Sequence, residues 1–304
     1  MTLICVLSNS DDEVDPAMCP RGDNYPLRTF IDFNDFPSQP ARAIDVLRES
    51  NEMTRASGFE DAVLDKPEFC MCIAAFRDNP ITSRRDFHNA LLKSILWWDE
   101  DYVLPAVDIF CRAVLQQATN AFFFAHCDGR TLPLIMRLRN LMNSAKDQRV
   151  KFIIIRGLCN AFSHKAGELA LCDKISELTT ELLQVFDACE GHKHVQTAVA
   201  SFVANFAKAA FRDESRRDQR AVIVRIVVEY LKKMCLTRRF KMDAGAVSIF
   251  QRALITLVWG DRQLIQVAKE CGVLQVASDF DDAYPNEEIK IQSMQIRDMV
   301  RALP

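Results

Sequence analysis

The residues best suited to catalysis or metal binding in this sequence of 304 residues are cysteines and histidines. Cys70 and Cys72 offer two thiols, but the single residue between them places their side chains on different faces of a helix, and no second ligand pair follows at zinc-finger spacing. Cys159 and His164 are five residues apart, a spacing that does not aim both groups at one atom on a straight helix. These patterns predict structural cysteines rather than a catalytic nucleophile, and no metal site.

Motifs of the common enzyme families are also missing from the sequence. It contains no His-Glu-x-x-His, no Gly-x-Ser-x-Gly, and neither of the glycine-rich patterns that hold nucleotide phosphates. Only nine glycines are present, about half of average usage, so a loop that wraps a nucleotide is not expected. His192 and His194 flank Lys193 in a predicted loop between helices, where histidines are usually solvated. We therefore predict that the chain is not an enzyme and carries no cofactor.

Arginine and asparagine side chains on apolar helices indicate a different chemistry, the binding of a peptide. Arg156 and Asn160 lie four residues apart in a segment that is otherwise apolar, so both project from one face of a mostly buried helix. Arg252 occupies a similar place in a later segment, and Asn205 lies 45 residues after Asn160. A buried guanidinium costs several kcal/mol unless it is paired, so each arginine needs a partner.

Two interpretations of these residues stay open from the sequence. In one, each arginine pairs with an internal carboxylate such as Asp108, and its role is structural. In the other, Arg156 and Arg252 offer bidentate donors to an extended acidic peptide. Asn160 and Asn205 then pair with the N–H and C=O groups of that peptide. Their placement in repeat phase favours the second interpretation.

The elements that would position these residues are strongly apolar segments that recur along the chain. Arg156 lies 48 residues after Asp108, and Arg252 lies 96 residues after Arg156. These intervals are close to one and two periods of armadillo and HEAT repeats, which are about 40 to 47 residues long and place one buried helix per repeat along the concave face. The four apolar segments are residues 104–110, 152–162, 197–206 and 249–257.

Amphipathic helices are predicted between the apolar segments, and no proline falls between Pro133 and Pro285 to interrupt them. Gly272 is the predicted C-terminal cap of the last one. A helix-turn-helix unit that recurs in this way stacks into a superhelix, because each face is buried on its neighbours. The predicted fold class is all-α, an armadillo/HEAT-like right-handed superhelix of about six helical repeats, with a bundle without repeats as the alternative. The amphipathic helices are predicted over residues 132–142, 175–186, 221–231 and 264–271.

The N-terminal part has a different composition. Residues 1–24 are rich in acidic residues and contain proline and glycine, and they are predicted to form a flexible leader. From Tyr25 to Pro40, aromatic and polar positions alternate in proline-bounded chain, which predicts an extended segment packed as a strap. The repeat domain is predicted over residues 25–304.

Net charge and hydropathy narrow the class of partner. The chain carries 38 basic and 41 acidic residues, so no global excess of cations attracts nucleic acid or anionic lipid. No apolar run is long enough for a transmembrane helix, and eleven scattered cysteines indicate a reducing compartment. A local basic patch over residues 232–241 keeps one alternative function open, a scaffold for another peptide or for nucleic acid.

Several segments follow one another in an order known from a family of armadillo-like domains. Residues 25–33 look like an extended entry segment, and Trp97 with residues 104–109 looks like a Trp followed by a Phe-Pro-Ala-Leu-Asp helix. Residues 156–162, Arg-Gly-Leu-Cys-Asn-Ala-Phe, look like an Arg-x-x-Cys-Asn-x-Phe helix. Together they resemble the PUL domain, the armadillo-like C-terminal domain of phospholipase-activating proteins and of their yeast counterpart in ubiquitin turnover. Further matches are Ala166-Gly167, Asn205 to Phe211, Arg252 to Leu254, and Val267 to Val273.

The resemblance implies a binding function that serves ubiquitin-dependent protein turnover in the cytoplasm and nucleus. PUL domains dock the acidic C-terminal tail of the hexameric AAA ATPase valosin-containing protein, and Arg156 and Arg252 fall on the groove arginines of the family. Ubiquitin binding is not carried over, because a leader of 24 residues is too short for the upstream modules of family members. The predicted peptide-binding residues are Arg156, Arg252, Asn160, Asn205, Lys151 and His164.

Overall fold

The computed structural model describes residues 26–33, 40–74, 85–125, 131–211, 213–237 and 242–303, and the regular secondary structure of these ranges is entirely helical. The predicted leader, residues 1–24, lies outside the described residues, as do Arg238, Arg239 and Lys241 of the basic patch. No helix of the described ranges is both long and apolar enough to cross a bilayer. The α-helices are α1 (Pro40–Ala56), α2 (Lys66–Ala74), α3 (Arg85–Trp97), α4 (Leu104–Ala113), α5 (Gln117–Phe124), α6 (Thr131–Ser144), α7 (Gln148–Ala161), α8 (Lys165–Cys172), α9 (Ile175–Ala188), α10 (Lys193–Phe211), α11 (Arg217–Thr237), α12 (Ala244–Val258), α13 (Arg262–Cys271), α14 (Val273–Ala283) and α15 (Glu287–Arg301).

The helices are arranged in two rows. Helices α4, α7, α10, α12 and α15, called the inner helices below, pack side by side in that order. A second row of α3, α6, α9 and α11 packs behind them in the same order, and α11 also contacts α13 and α14. Because each helix is covered chiefly by the repeats before and after it, the architecture is the predicted helical solenoid.

The repeat contains one more helix than the predicted helix-turn-helix unit. Short helices α5 and α8, of eight residues each, stand before α6 and α9 and pack against one another. A 3-10 turn, Glu214–Arg216, takes the same place before α11. These elements span only one or two turns, which is too short for a periodic apolar stripe to be recognised in the sequence.

Side-chain caps and one glycine fix where the helices begin and end. Asp147, Asp243 and Asp261 each accept hydrogen bonds from backbone N–H groups in the first turn of α7, α12 and α13. Gly272 has a φ of 95° and separates α13 from α14, so the predicted C-terminal cap is confirmed. These local signals set the register in which the inner helices present their side chains.

Buried aromatic side chains hold the inner helices together. Phe162, which follows α7, meets Phe202 of α10 edge to face, with the ring centroids 5.4 Å apart. Phe110 of α4 and Phe123 of α5 pair in the same way at 5.2 Å. Such pairs add about 0.5 to 1.5 kcal/mol each beyond the area they bury. The inner row is therefore a rigid platform for residues on its open face.

Candidate peptide-binding site

An extended segment of the chain itself lies across the inner helices. We call residues 26–33 the strap. The N–H of Ile31 donates to Oδ1 of Asn205 at 2.7 Å, and Nδ2 of Asn205 donates back to the carbonyl of Ile31 at 2.8 Å. Asn160 binds Phe33 in the same two-way manner, at 2.7 and 2.9 Å. The two asparagines thus bind extended backbone, and that backbone belongs to this chain.

Each of these asparagines has a second partner on the preceding inner helix. Nδ2 of Asn160 also donates to the carbonyl of Cys111 at 2.6 Å, and Nδ2 of Asn205 to the carbonyl of Cys159 at 3.1 Å. Asn160 is 0% exposed and Asn205 1% exposed. Both amides are therefore engaged in holding the strap and in joining neighbouring helices.

The rest of the strap continues in one direction across the repeats. The N–H of Leu27 donates to Oγ1 of Thr256 on α12 at 3.3 Å, so the strap passes α12, α10 and α7 in turn and runs opposite to the repeat order. Phe30 stacks on Phe162 at 6.2 Å, and Nζ of Lys208 lies 3.4 Å from the centroid of its ring. Apolar packing and a cation–π contact thus reinforce the backbone hydrogen bonds.

The predicted groove arginines lie one helical turn before the residues that hold the strap. Arg156 precedes Asn160 by four residues, and Arg252 precedes Thr256 by four, which corresponds to about 6 Å along each helix. The guanidinium of Arg156 lies 5.0 Å from the ring of Phe33 on the strap. The strap therefore borders a layer of the inner face that contains both arginines.

The pairing of these arginines bears on the two interpretations from the sequence. Asp108 forms its ion pair with Arg112 of its own helix at 3.2 Å. Burial raises the pKa of Asp108, and the charges of Arg112 and Arg156 oppose that rise, so Arg156 does act on this carboxylate. Arg252 is half-buried, and among the described residues its Nε is buried without a hydrogen-bond partner. A half-buried guanidinium suits an external acceptor through its terminal nitrogens, because the buried Nε itself is shielded from the groove.

The other two predicted site residues lie away from this layer. His164 precedes α8, and its Nε2 lies 2.6 Å from the carbonyl of Leu115, to which it donates, so it joins two turns between helices. Lys151 is half-buried on α7, and its charge acts on the thiol of Cys189 just past α9. The structure therefore brings together Arg156, Asn160 and Asn205 with the strap, and places His164 and Lys151 at the edges.

The cysteines are arranged as structural residues. Burial raises the pKa of the Cys72 and Cys172 thiols to about 12 and that of Cys159 well above its usual value, so the nucleophilic thiolate is disfavoured. Within the described ranges, no three His, Cys, Asp or Glu side chains come together as metal ligands.

Several functional residues were missed in the sequence. Thr256 and Lys208 bind the strap, yet neither stands out because threonine and lysine are common in helices. The strap itself was predicted to pack, but its position on the asparagines was not. The signal that was available is the pattern Ile31-Asp32-Phe33, in which the two residues that the asparagines hold flank an exposed polar one.

Fold and site together define a helical-solenoid binding module, in which an inner row of helices presents polar side chains to extended peptide. The model of the PUL domain family matches residues 26–295, and the chain belongs to this family. The family and its armadillo-like helical fold are typical of binding modules that do not catalyse reactions. The predicted family and fold class are thereby confirmed.

Relatives and a solved structure agree with this assignment. The chain is 25% identical over 292 residues to the ubiquitin fusion degradation protein 3 homolog of Caenorhabditis elegans, covering 93% of this chain and 32% of the relative. It is 23% identical to phospholipase A-2-activating protein of Xenopus laevis over 58% of this chain and 20% of the relative. The chain thus spans a third or less of these relatives. A designed armadillo repeat protein superposes with a TM-score of 0.55 at 14% identity, over 88% of this chain and all of that chain.

Proposed function

We propose that this chain is an adaptor that binds the acidic C-terminal tail of the hexameric AAA ATPase valosin-containing protein. The tail would lie in the groove formed by the strap and the arginine layer, with Arg156 and Arg252 as its charged contacts. The observation that carries the proposal is that both arginines stand one turn from the strap, on α7 and α12, in equivalent positions. Membership of the PUL domain family also supports the proposal that this groove binds a peptide.

The chemistry of the groove favours an acidic, extended partner. Guanidinium groups bind carboxylates through two parallel N–H···O bonds, and the side chains of Arg156 and Arg252 are both only half-buried. The surrounding aromatic rings of Phe33 and Phe152, which lie 5.0 and 5.2 Å from the guanidinium of Arg156, suit a tail that also carries an apolar or aromatic side chain. A flexible peptide that is bound by a few charged groups is expected to bind at micromolar affinity.

The adaptor role extends to ubiquitin-dependent protein turnover. The support is the name of the Caenorhabditis elegans relative, which is a ubiquitin fusion degradation protein 3 homolog. Direct binding of ubiquitin is not part of the proposal, because the match covers 32% of that relative. The setting that we propose for this role is the cytoplasm and the nucleus.

Fluorescence anisotropy with a labelled peptide of the ATPase tail tests the proposal. Arg156→Ala and Arg252→Ala are each expected to weaken binding by about tenfold or more, since a hydrogen bond to a charged group contributes about 1.5 to 3 kcal/mol. The affinity of the unchanged protein should also fall as salt rises. Arg225→Ala is the matched control, because Arg225 is exposed on α11, outside the inner row.

Two results would contradict the proposal. One is a tail peptide that does not bind the unchanged protein, and the other is unchanged affinity in both groove variants. Capture of nucleic acid without the ATPase would favour the alternative scaffold function. The described part of the basic patch does not support that alternative, because Lys232 and Lys233 share their surface with Glu229 and Glu270.

A further inference from the structure

The strap presents a second backbone edge, opposite the edge that the asparagines bind. Ile31 and Phe33 use both their N–H and their C=O groups on Asn205 and Asn160. In extended chain, the N–H and C=O groups of successive residues point to opposite sides. The backbone groups of Asp32, and of Phe30 before Ile31, must therefore point away from the inner helices.

These outward groups have no hydrogen-bond partner within the described part of the chain. The backbone hydrogen bonds of the strap are made by Leu27, Ile31 and Phe33, and none involves Phe30 or Asp32. Asp32 is exposed, and Phe30 is half-buried through its ring contacts. Two N–H and two C=O groups at alternate residues thus form a short, rigidly held strand edge, and such an edge accepts another extended chain.

We propose that an acidic peptide partner binds by adding a β-strand to the outward edge of the strap at Phe30 and Asp32. The proposal rests on the proposed function and specifies its binding mode. Strand addition supplies affinity through main-chain hydrogen bonds, while side-chain sites supply specificity. The charge that selects an acidic peptide comes from the half-buried Arg156, 5.0 Å from the ring of Phe33.

Strand addition by a peptide explains why Asn160 and Asn205 hold the strap so firmly. A free strand of four residues would lose much of its binding energy to ordering, at about 1 to 2 kcal/mol per residue for the backbone. Asn160 and Asn205 already hold the strap in an extended conformation in the folded chain. The outward edge of the strap is therefore ordered before a peptide binds. In this arrangement the incoming peptide leaves the bonds of Asn160 and Asn205 to the strap intact.

The proposal is tested with a pair of variants at one position. Asp32→Pro and Asp32→Ala both remove the carboxylate, but only proline removes the outward N–H, and neither touches the bonds made by Ile31 and Phe33. The labelled tail peptide of the ATPase is titrated against both. We expect binding to Asp32→Pro to be at least fivefold weaker than binding to Asp32→Ala.

Amide hydrogen exchange, read by NMR on protein labelled at Asp, Phe and Ile, provides the second measurement. The amides of Ile31 and Phe33 should exchange slowly before and after peptide is added, in the unchanged protein and in both variants. The amides of Phe30 and Asp32 should exchange fast at first and slow down when the tail peptide binds.

The outcomes separate this proposal from the proposed function. If the unchanged protein fails to bind the tail peptide, both are overturned. If Arg252→Ala loses binding while the two Asp32 variants bind equally and no new amide is protected, the groove stands and strand addition is wrong. If the peptide speeds exchange at Ile31 and Phe33, the peptide displaces the strap, and strand addition is again overturned.

Discussion

At the scale of the residue, the asparagine side chain is suited to holding an extended chain because it carries an acceptor and two donors in one plane. Asn160 and Asn205 use all three: Oδ1 accepts from the strap, while Nδ2 donates to the strap and to an inner-helix carbonyl. An aspartate would keep the acceptor and place negative charge against two carbonyls. A buried amide with every group paired avoids the cost of an unsatisfied polar group.

The replacement Asn160→Ala should therefore destabilise the protein more than the loss of its contacts alone suggests. It leaves the N–H and C=O of Phe33 and the carbonyl of Cys111 without this partner, and we expect a loss of about 2 to 4 kcal/mol in the free energy of unfolding. Urea denaturation measures the change. Asn143→Ala, at an exposed position on α6, should change stability by less than about 0.5 kcal/mol, and equal effects of the two variants would refute this account.

His88 gives the protein a pH dependence at mildly acidic pH. The side chain is 3% exposed, with its Nε2 2.9 Å from Oγ1 of Thr119 and the ring of Phe122 at 4.7 Å, and burial lowers its pKa in the folded state. Above a pH of about 6.5 the ring is neutral in both states. Below it, the unfolded chain takes up a proton that the folded chain does not, so stability falls until the lowered folded pKa is reached.

The prediction is that the free energy of unfolding decreases as pH falls from about 7 to 5, and that His88→Gln flattens this part of the curve. Chemical denaturation at a series of pH values measures it. His192→Gln is the control, because His192 is exposed in the loop before α10. A curve for His88→Gln that is parallel to that of the unchanged protein would show that His88 does not cause the effect.

At the scale of the element, Asn120 from the preceding repeat ties together the turn between α7 and α8. Nδ2 of Asn120 donates to the carbonyls of Val114 and Ala161, and its Oδ1 accepts from the N–H of Gly167. The approach is so close that position 167, in the first turn of α8, requires a residue that lacks a side chain. A Cβ on Gly167 would lie 2.1 Å from the carbonyl oxygen of Ala161.

Gly167→Ala should accordingly destabilise the fold, although alanine is the better helix former. The added methyl group meets backbone and the buried Nδ2 of Asn120 at 3.0 Å, neither of which can move freely, and we expect a loss of about 3 kcal/mol or more. Thermal and urea unfolding measure it. Lys165→Ala, at the exposed start of the same helix, serves as the control, and a Gly167→Ala protein as stable as the control would show that the turn relaxes easily.

Inner helices α4, α7, α10 and α12 and outer helices α6, α9 and α11 could be predicted from the sequence because each is long enough for its apolar stripe to repeat. Helices α6 and α9 begin and end within a few residues of their predicted bounds. Helices α5 and α8 could not be predicted, since eight residues carry no clear period. Asn160 and Asn205 were predicted to bind the backbone of a partner peptide, but a sequence does not show that residues 127 and 174 positions earlier supply the backbone that they hold.

At the scale of the whole molecule, the strap is a brace that joins three repeats. Leu27, Ile31 and Phe33 are tied to residues 229, 174 and 127 positions later in the chain, on α12, α10 and α7. A solenoid otherwise depends on contacts between neighbouring repeats alone, and can open between any two of them. A strap across three inner helices opposes such opening. It thereby keeps Arg156 on α7 and Arg252 on α12 at a fixed distance from one another.

Removal of residues 1–39 tests the brace. The shortened protein should keep its helical circular dichroism signal, unfold at a lower temperature and lose affinity for the ATPase tail peptide, because the asparagines lose their partners and the groove loses one side. A synthetic peptide of residues 25–34, added in excess, should raise the unfolding temperature again in proportion to its occupancy. The same peptide methylated on the nitrogens of Ile31 and Phe33 cannot donate to Asn205 and Asn160, and should fail to restore stability. If both peptides act equally, or if the shortened protein unfolds at the original temperature, the strap packs on the solenoid without bracing it.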